Sequence, residues 1–406
     1  MARRALILLE GASNSPLYND AARRLDLHPI TLSADPALFD YLAALGIEAI
    51  RVDKDDVDAL IRECIRLRST YDIAGITSAQ ESVYAVVGKL CRYFDLPGPN
   101  PTAIERCCDK FIQRQVLAEA GFPIPAYRLA ANATEVERST AEIGLPVILK
   151  PAVGIGSSGV RLCRNVDELA EHTIYLLGGK HIWRSSPRIL VEQFAQGPQY
   201  NLEIMGSEII GIADADYSPP HFVCRGHFYP AQLSDEEYRR VADVSLSCLK
   251  ALGLGWGPAN IELRWTNHGP VVIEVNPRLA GSPVSDMVQL AYGIDLITEH
   301  IKLVIGDEWD LRKRHLHTAA ARYLIPEYDG TLDWIDGASR AAAVSGVAEV
   351  KLYVEPKTAI IRKGHSGDRI AHVIATSPNR ARTEAVLQRA VGLIDWSIAA
   401  FPVQGE

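Results

Sequence analysis

The chain has 406 residues, too many for one ordinary domain and enough for several lobes with their own cores. Hydrophobic residues make up 48% and charged residues 23%, the balance expected of a globular protein. Lys plus Arg is 42 and Asp plus Glu is 50, so the net charge of −8 excludes the basic surface of a general nucleic-acid binder and leaves room only for a local basic pocket.

The N-terminus reads MARRALILLEGASN. Two arginines precede an apolar run that Glu10 ends after Leu9, too short for a signal peptide and suited to a first strand. No run reaches the roughly 18 apolar residues of a spanning helix, so no membrane partner is expected. The seven cysteines are scattered, with no CxxC pair or His/Cys cluster, and read as thiols in a reducing cytoplasm.

Over residues 1–100 the apolar runs ALILLE, PITLS, AIRVD and DIAGITS alternate with helical patterns such as PLYNDAARRLDL and DVDALIRECIRLRS. That rhythm predicts a parallel sheet with helices on both faces. No GxGxxG follows the first strand, so a dinucleotide fold is not indicated. LPGPNP at 96–101 marks a lobe boundary, followed by a helix predicted from Thr102 to Ala120. LPVILKP at 145–151 and RILVEQF at 188–194 read as strands, and NLEIM with EIIGIADAD as a strand pair over 201–216. From about 320 the short strands VAEVKLYVEP, TAIIRKG and RIAHVIATS precede a helix starting near Asn379, a small α+β lobe.

Candidate chemistry gathers at a few places. PANIELRWT, at 258–266, and the run ending in EVNPR, at 274–278, read as a hairpin around Asn267-His268-Gly269. A three-residue loop there pairs Glu262 with Glu274 and Asn260 with Asn276 on one face. Opposed carboxylates near a core require protonation or a cation, and with an amide they suit Mg²⁺. Taken alone, the same hairpin reads equally as an exposed polar face. Lys150 ends VILK and runs into Gly154-Ile155-Gly156-Ser157-Ser158-Gly159, where successive N–H groups can form an anion nest. The bland alternatives are a flexible surface loop and, for Lys110, a solvated helix lysine. Glu192-Gln193-Phe194 with the turn at Gly197-Pro198 can face an adenine edge, or form a plain strand and turn.

Lysine, lysine with glycine loop, E-Q-F hinge and E…E-x-N-P-R, in this order, resemble the ATP-grasp superfamily, and most the carboxylate–amine ligases that join L-amino acids. The resemblance implies a multi-lobe α/β and α+β fold. It places an N-terminal lobe at 1–100, a helical segment and lid at 101–190, a core with the metal and substrate site at 191–318, and a C-terminal lobe at 319–406. It implies ATP contacts from Lys110, Lys150, Gly154, Gly156, Ser157, Ser158, Gly159, Glu192, Gln193, Phe194 and Gln199. Glu262, Glu274 and Asn276 would hold one or two Mg²⁺, with Mn²⁺ able to substitute. Arg278 and Lys150 would steady the transferred phosphoryl group, and His227 and Gly281 would line the substrate pocket. The implied reaction activates a carboxylic acid as an acyl phosphate for attack by an amine, giving ADP and phosphate. It also implies a cytoplasmic enzyme, with a homodimer plausible. A ligase of nucleotide or cofactor biosynthesis and a non-catalytic ATP-binding module are the rival readings. Two departures stand out. Gln199 replaces a frequent ribose-binding glutamate, and Cys224 stands three residues before His227 where some amino acid ligases carry an acid. Either the activated acid is neutral at its α-position, or another acid, Asp216 or Asp214 on the preceding strand, holds a substrate ammonium; the bland alternative, slightly favoured, is that both aspartates are solvated strand-end residues.

Overall fold

The computed structural model describes residues 2–179 and 187–401. The apolar runs of the first hundred residues form strands β1 (Arg3–Leu9), β2 (His28–Ser33), β3 (Glu48–Arg51) and β4 (Tyr71–Thr77), parallel and in the order β3-β2-β1-β4. Both faces of β1 are buried. Ala5, Ile7 and Leu9 pack with helices Val57–Arg68 and Glu81–Phe94, while Leu6 and Leu8 pack with helices Ser15–Arg24 and Leu296–Val304. Strand order reverses between β1 and β4, the position where such sheets open a crevice at their carboxyl ends. The loops at 11–14 and 78–80 lie there, with Glu81 opening the helix that follows.

The single helix expected over 102–120 is two, Pro101–Cys107 and Lys110–Glu119. Asp109 breaks it by accepting hydrogen bonds from the Phe111 and Ile112 N–H groups at 3.0 and 3.2 Å. The break turns Lys110, Gln113 and Arg114 inward on one helix face, so Lys110 is buried rather than solvated.

An antiparallel sheet follows in the order β5-β8-β6-β7, from β5 (Tyr127–Ala130), β6 (Val147–Pro151), β7 (Arg161–Cys163) and β8 (Ile189–Gln193). The largest sheet has eight antiparallel strands in the order β13-β12-β9-β10-β11-β14-β18-β16. Its first part is β9 (Gln199–Met205), β10 (Glu208–Ser218), β11 (Val223–Tyr229), β12 (Pro258–Thr266) and β13 (Gly269–Asn276). The C-terminal strands β14 (Thr318–Leu324), β16 (Val347–Leu352) and β18 (Ala371–Ser377) continue this sheet rather than forming one of their own. Only β15 (Gly330–Asp336), β17 (Ala359–Ile360) and β19 (Asp395–Ala399) make a separate small sheet.

Alternation gives β9, β12 and β13 two unlike faces. Leu202, Ile204, Ile261, Leu263, Val272 and Val275 pack on helix Asp235–Leu252. The opposite face carries Gln199, Asn201 and Glu203, then Asn260, Glu262 and Arg264, then Glu274 and Asn276. Edge strand β13 is held by the Gln113 amide, which donates to the Val275 carbonyl and accepts from its N–H, both at 2.9 Å.

The hairpin corrects one step of the sequence reading. Thr266 pairs with Gly269, so the loop is the two residues Asn267 and His268 rather than three. A bulge at Ile273 then adds one residue to β13, and the register beyond it places Glu262 opposite Glu274 and Asn260 opposite Asn276. No helix among the described residues is long and apolar enough to cross a membrane.

Gly197 opens β9 beside β12 with φ +149°, and a Cβ added there would stand 1.9 Å from the Trp265 carbonyl oxygen. Gly197→Ala is expected to cost at least about 2 kcal/mol, read from denaturant midpoints.

Candidate active site

The polar face of β9, β12 and β13 floors a cavity of about 1040 Å³. The four-stranded sheet and its glycine loop roof it, the β1 and β4 crevice closes one side, and the C-terminal segment closes another. Of the expected site residues, all but Gly159 and Asp216 line it.

Several charges inside are matched. Glu192 meets Arg114 at 2.6 Å and Lys150 at 2.5 Å, with all three side chains nearly inaccessible. Burial alone would raise the Glu192 carboxyl, but Arg114 and then Lys150 outweigh it and hold it low. Glu192 is thus the counter-ion of the lysine, while Gln193 and Phe194 line the cavity beside it. Lys110 meets Glu274 at 2.8 Å and donates to the Gly154 carbonyl at 2.7 Å. Burial works against its ammonium, and Glu274 outweighs burial to raise it. On Glu274 burial is likewise overcome, first by Lys110, and the carboxyl sits below its ordinary range.

Among the described residues Glu262 has no ion-pair partner. Gln199 donates to it at 3.0 Å. Burial, and then the charge on Glu274, push it up to about 7. Among the described residues no group of three His, Cys, Asp or Glu is placed to hold a metal unaided. Two opposed carboxylates and the Asn276 amide instead suit a hard dication that completes its shell with phosphate oxygens and water, and such an ion would relieve the strain on Glu262. Arg278 stands beside this set and pairs with Glu81 at 3.2 Å.

The glycine loop turns over the same place. Gly156, Ser157 and Gly159 take positive φ of 63, 65 and 72°. It is fastened on two sides. Ser157 Oγ donates to the Phe222 carbonyl at 2.8 Å, and the Ser366 N–H donates to the Gly156 carbonyl at 3.0 Å. Gly159 faces away, where a Cβ would meet Pro151 and Leu176 within 3.0 Å, so its role is packing.

His227 lies at the far end with Tyr217, Cys224 and Tyr323. Burial, and then the Arg369 charge, push its imidazole down to about 3, so it is neutral. Cys224 Sγ lies 3.6 Å from its Nε2, and burial pushes the thiol up to about 12. Asp216 is not in this pocket. It shares a sheet face with Gly226 and Arg322 across β10, β11 and β14, and pairs with Arg322 at 2.9 Å. Asp214 pairs with Arg380 at 2.7 Å on that same outer face.

Residues 109–312 match the family model described as carbamoyl-phosphate synthase L chain, ATP binding domain, and residues 322–399 match L-amino acid ligase C-terminal domain 2. The chain belongs to the ATP-grasp superfamily of carboxylate–amine ligases. Protein y4rH of Sinorhizobium fredii is 61% identical over 98% of this chain and 84% of its own. Human carnosine synthase 1 is 25% identical over 75% of this chain, which spans 40% of that relative's length. An L-amino acid ligase from Bacillus licheniformis shares the fold at TM-score 0.81 and 20% identity, covering 98% of this chain and 100% of that one. N5-carboxyaminoimidazole ribonucleotide synthetase from Thermotoga maritima shares it at TM-score 0.71 and 18% identity, with the same coverage.

Sequence reasoning passed over several residues at this ATP-grasp cavity. Arg114 follows Lys110 by four, the helical spacing that puts both on one face. Glu203 continues the alternation of Gln199 and Asn201 on β9. Asn14 carries no local signal. Its amide donates to the Ala280 carbonyl and accepts from the Ser282 N–H, both at 3.0 Å, tying the N-terminal lobe to the loop after Arg278.

Glu203 braces that loop too, accepting from Ala280 N–H at 3.2 Å and from Asn260 at 2.6 Å. Burial nevertheless pushes its carboxyl from 4.5 to about 8. Folding therefore takes up a proton in that window, so this group's contribution to stability falls as pH rises from roughly 4.5 to 8. Glu203→Gln is expected to flatten the pH dependence of the urea midpoint between pH 5 and pH 8. An unchanged slope would contradict a protonated carboxyl.

Proposed function

We propose that this ligase joins a carboxylic acid to the amino group of an amino acid, through an acyl phosphate, with release of ADP and phosphate. The observation that carries the reading is the half-buried, opposed pair Glu262 and Glu274 beside Lys110 and Arg278, at the junction of three lobes. Residues 322–399, in the L-amino acid ligase C-terminal family, and the likeness to carnosine synthase support an amino acid as a substrate.

In this reading the nucleotide lies between the two antiparallel sheets. Phe194 supplies apolar area for the base and Gln193 a hydrogen-bonding edge. Gln199 reaches toward the ribose only by giving up Glu262. Lys150, held straight by Glu192, presents its ammonium to the phosphates. Glu262, Glu274 and Asn276 would hold Mg²⁺, or Mn²⁺ in its place, which when bound offsets phosphate charge. That binding would free Lys110 from Glu274 to turn toward the same oxygens. Arg278 is suited to the transferred phosphoryl group because a guanidinium grips oxyanions with two parallel N–H donors and stays charged. The fastened glycine loop keeps water from the activated acid.

The amine acceptor enters from the β1 and β4 crevice in this scheme, where Asn14 and Glu81 meet the loop carrying Arg278. The non-reacting part of the acid extends toward His227 and Cys224. Asp214 and Asp216 lie on the outer face, paired with Arg380 and Arg322, so neither is offered to a substrate ammonium there.

Two measurements test this reading. Phosphate and ADP should appear in step with product across a library of acids and amines, and pyrophosphate appearing in their place would sink the acyl-phosphate route. Glu274→Gln should lower kcat by about 100-fold or more while circular dichroism stays native, a loss typical of removing one charged group from such a centre. Wild-type turnover in that variant at ordinary Mg²⁺ would remove the metal assignment.

A further inference from the structure

The wall of the cavity beyond His227 has an unspent positive charge. Lys110, Lys150 and Arg278 are matched by Glu274, Glu192 and Glu81. Arg369 and Lys351 also line the cavity, and neither has a carboxylate partner among the described residues. Arg369 Nε is buried with no hydrogen-bond partner. An unpaired buried donor on a guanidinium is costly unless something is meant to meet it.

Its position is fixed. One face of the guanidinium lies on the Tyr323 ring, 3.6 Å from the centroid, which leaves its N–H edge for a planar oxyanion. Tyr323 in turn stands edge-on to His227 with centroids 6.3 Å apart. The preceding residue, Asp368, is buried and gathers the N–H groups of Lys363 and Gly364 at 2.9 and 2.8 Å, so the loop that carries Arg369 is braced. The same loop supplies Ser366 to the glycine loop. Arg369 is therefore held in place whether or not substrate is present.

We propose that Arg369 is a specificity-determining residue that binds a substrate carboxylate other than the one being activated. This rests on the ligase reading above and names a chemistry for its outer pocket. Cys224 and the neutral His227 add no negative charge there, the nearby Asp216 is committed to Arg322 on the other face, and Glu262, whose charge reaches Cys224 and Tyr217, is turned to Gln199. The guanidinium edge of Arg369 would draw a carboxylate. Such a carboxylate is carried either by the far end of a dicarboxylic donor or by an amino acid acceptor.

The test separates these two sources. In a donor arm, short dicarboxylic acids (malonate to adipate) are compared with their monoamides. In an acceptor arm, L-amino acids are compared with their amides. KM and kcat come from phosphate release, and the ligand-induced shift in Tm is read independently of turnover. Wild type is expected to favour the carboxylate form by about 10-fold or more in one arm, the usual weight of a charge-assisted pair. Arg369→Gln should abolish that preference and leave the KM for ATP unchanged, which a merely structural role would not. Arg369→Lys, which keeps the charge and the stacking volume, should retain part of it, and it serves as the test should the Gln variant not fold. Equal treatment of carboxylate and amide by wild type in both arms overturns the proposal, as does a preference that survives in Arg369→Gln or is undiminished in Arg369→Lys. Absence of turnover with every pair would defeat the ligase reading alone. The Tm arm would then still decide Arg369, by whether carboxylate-specific stabilisation is seen in wild type and lost in the variant.

Discussion

Ionised groups taken out of water must be paired, protonated or coordinated, and this rule organises the molecule. Glu192 and Glu203 are buried and Glu262 and Glu274 half-buried around one cavity, and they meet the rule in three ways. Glu192 is paired with two cations and stays ionised. Glu203 has no ion-pair partner among the described residues and is pushed toward the neutral acid. Glu274 is paired with Lys110. Glu262 is the unresolved one, carried to about 7 by burial and by its neighbour. A site that leaves one carboxylate unresolved beside another is a site prepared for a positive charge from outside.

That preparation needs a sheet with two unlike faces. The apolar side of β9, β12 and β13 anchors on helix Asp235–Leu252, and the cost of the polar side is offset by burying the other. The helix Lys110–Glu119 closes the arrangement from the edge. Its inward face supplies Lys110 to Glu274, Gln113 to the β13 backbone, and Arg114 to both Glu192 and the Ile273 carbonyl. One helix face thus sets the edge strand, its bulge and two of the cavity's ion pairs. The bulge at Ile273 is stabilised by that arginine, and without the bulge a two-residue loop would not bring Glu262 opposite Glu274.

This explains what was legible in the sequence and what was not. The central strands of the first lobe, β1 and β2, were legible because they are buried on both faces and read as nearly unbroken apolar runs. The pairing of Glu262 with Glu274 was reached through a three-residue loop that does not exist. A shorter loop and a bulge cancel, and bulges leave no dependable mark in a single sequence. The helix break before Lys110 was readable in principle, since Asp109 is a strong cap, but the apolar pattern runs through it. Asp216 was misplaced because alternation tells which residues share a face but not which face meets the cavity. Tyr217, the next residue, points to the opposite face and does line it, and a bulge at Arg225 on the neighbouring strand brings Cys224 across from that tyrosine. The C-terminal strands were recognised as strands, but joining the core sheet is a long-range pairing that short-range pattern cannot express.

The continuity of that sheet gives the C-terminal segment a part in the chemistry. Because β14, β18 and β16 extend the surface that begins at β13, the segment between β17 and β18 is carried back over the cavity rather than away from it. It brings Ser366 to the glycine loop and Arg369 to the Tyr323 ring within four residues of chain. Lid and outer pocket therefore share one brace, Asp368. On the proposal that Arg369 binds a substrate carboxylate, such a ligand would bear on the loop that also fastens the glycine loop, and recognition of the substrate's far end and closure over its reacting end would be coupled through the same few backbone bonds.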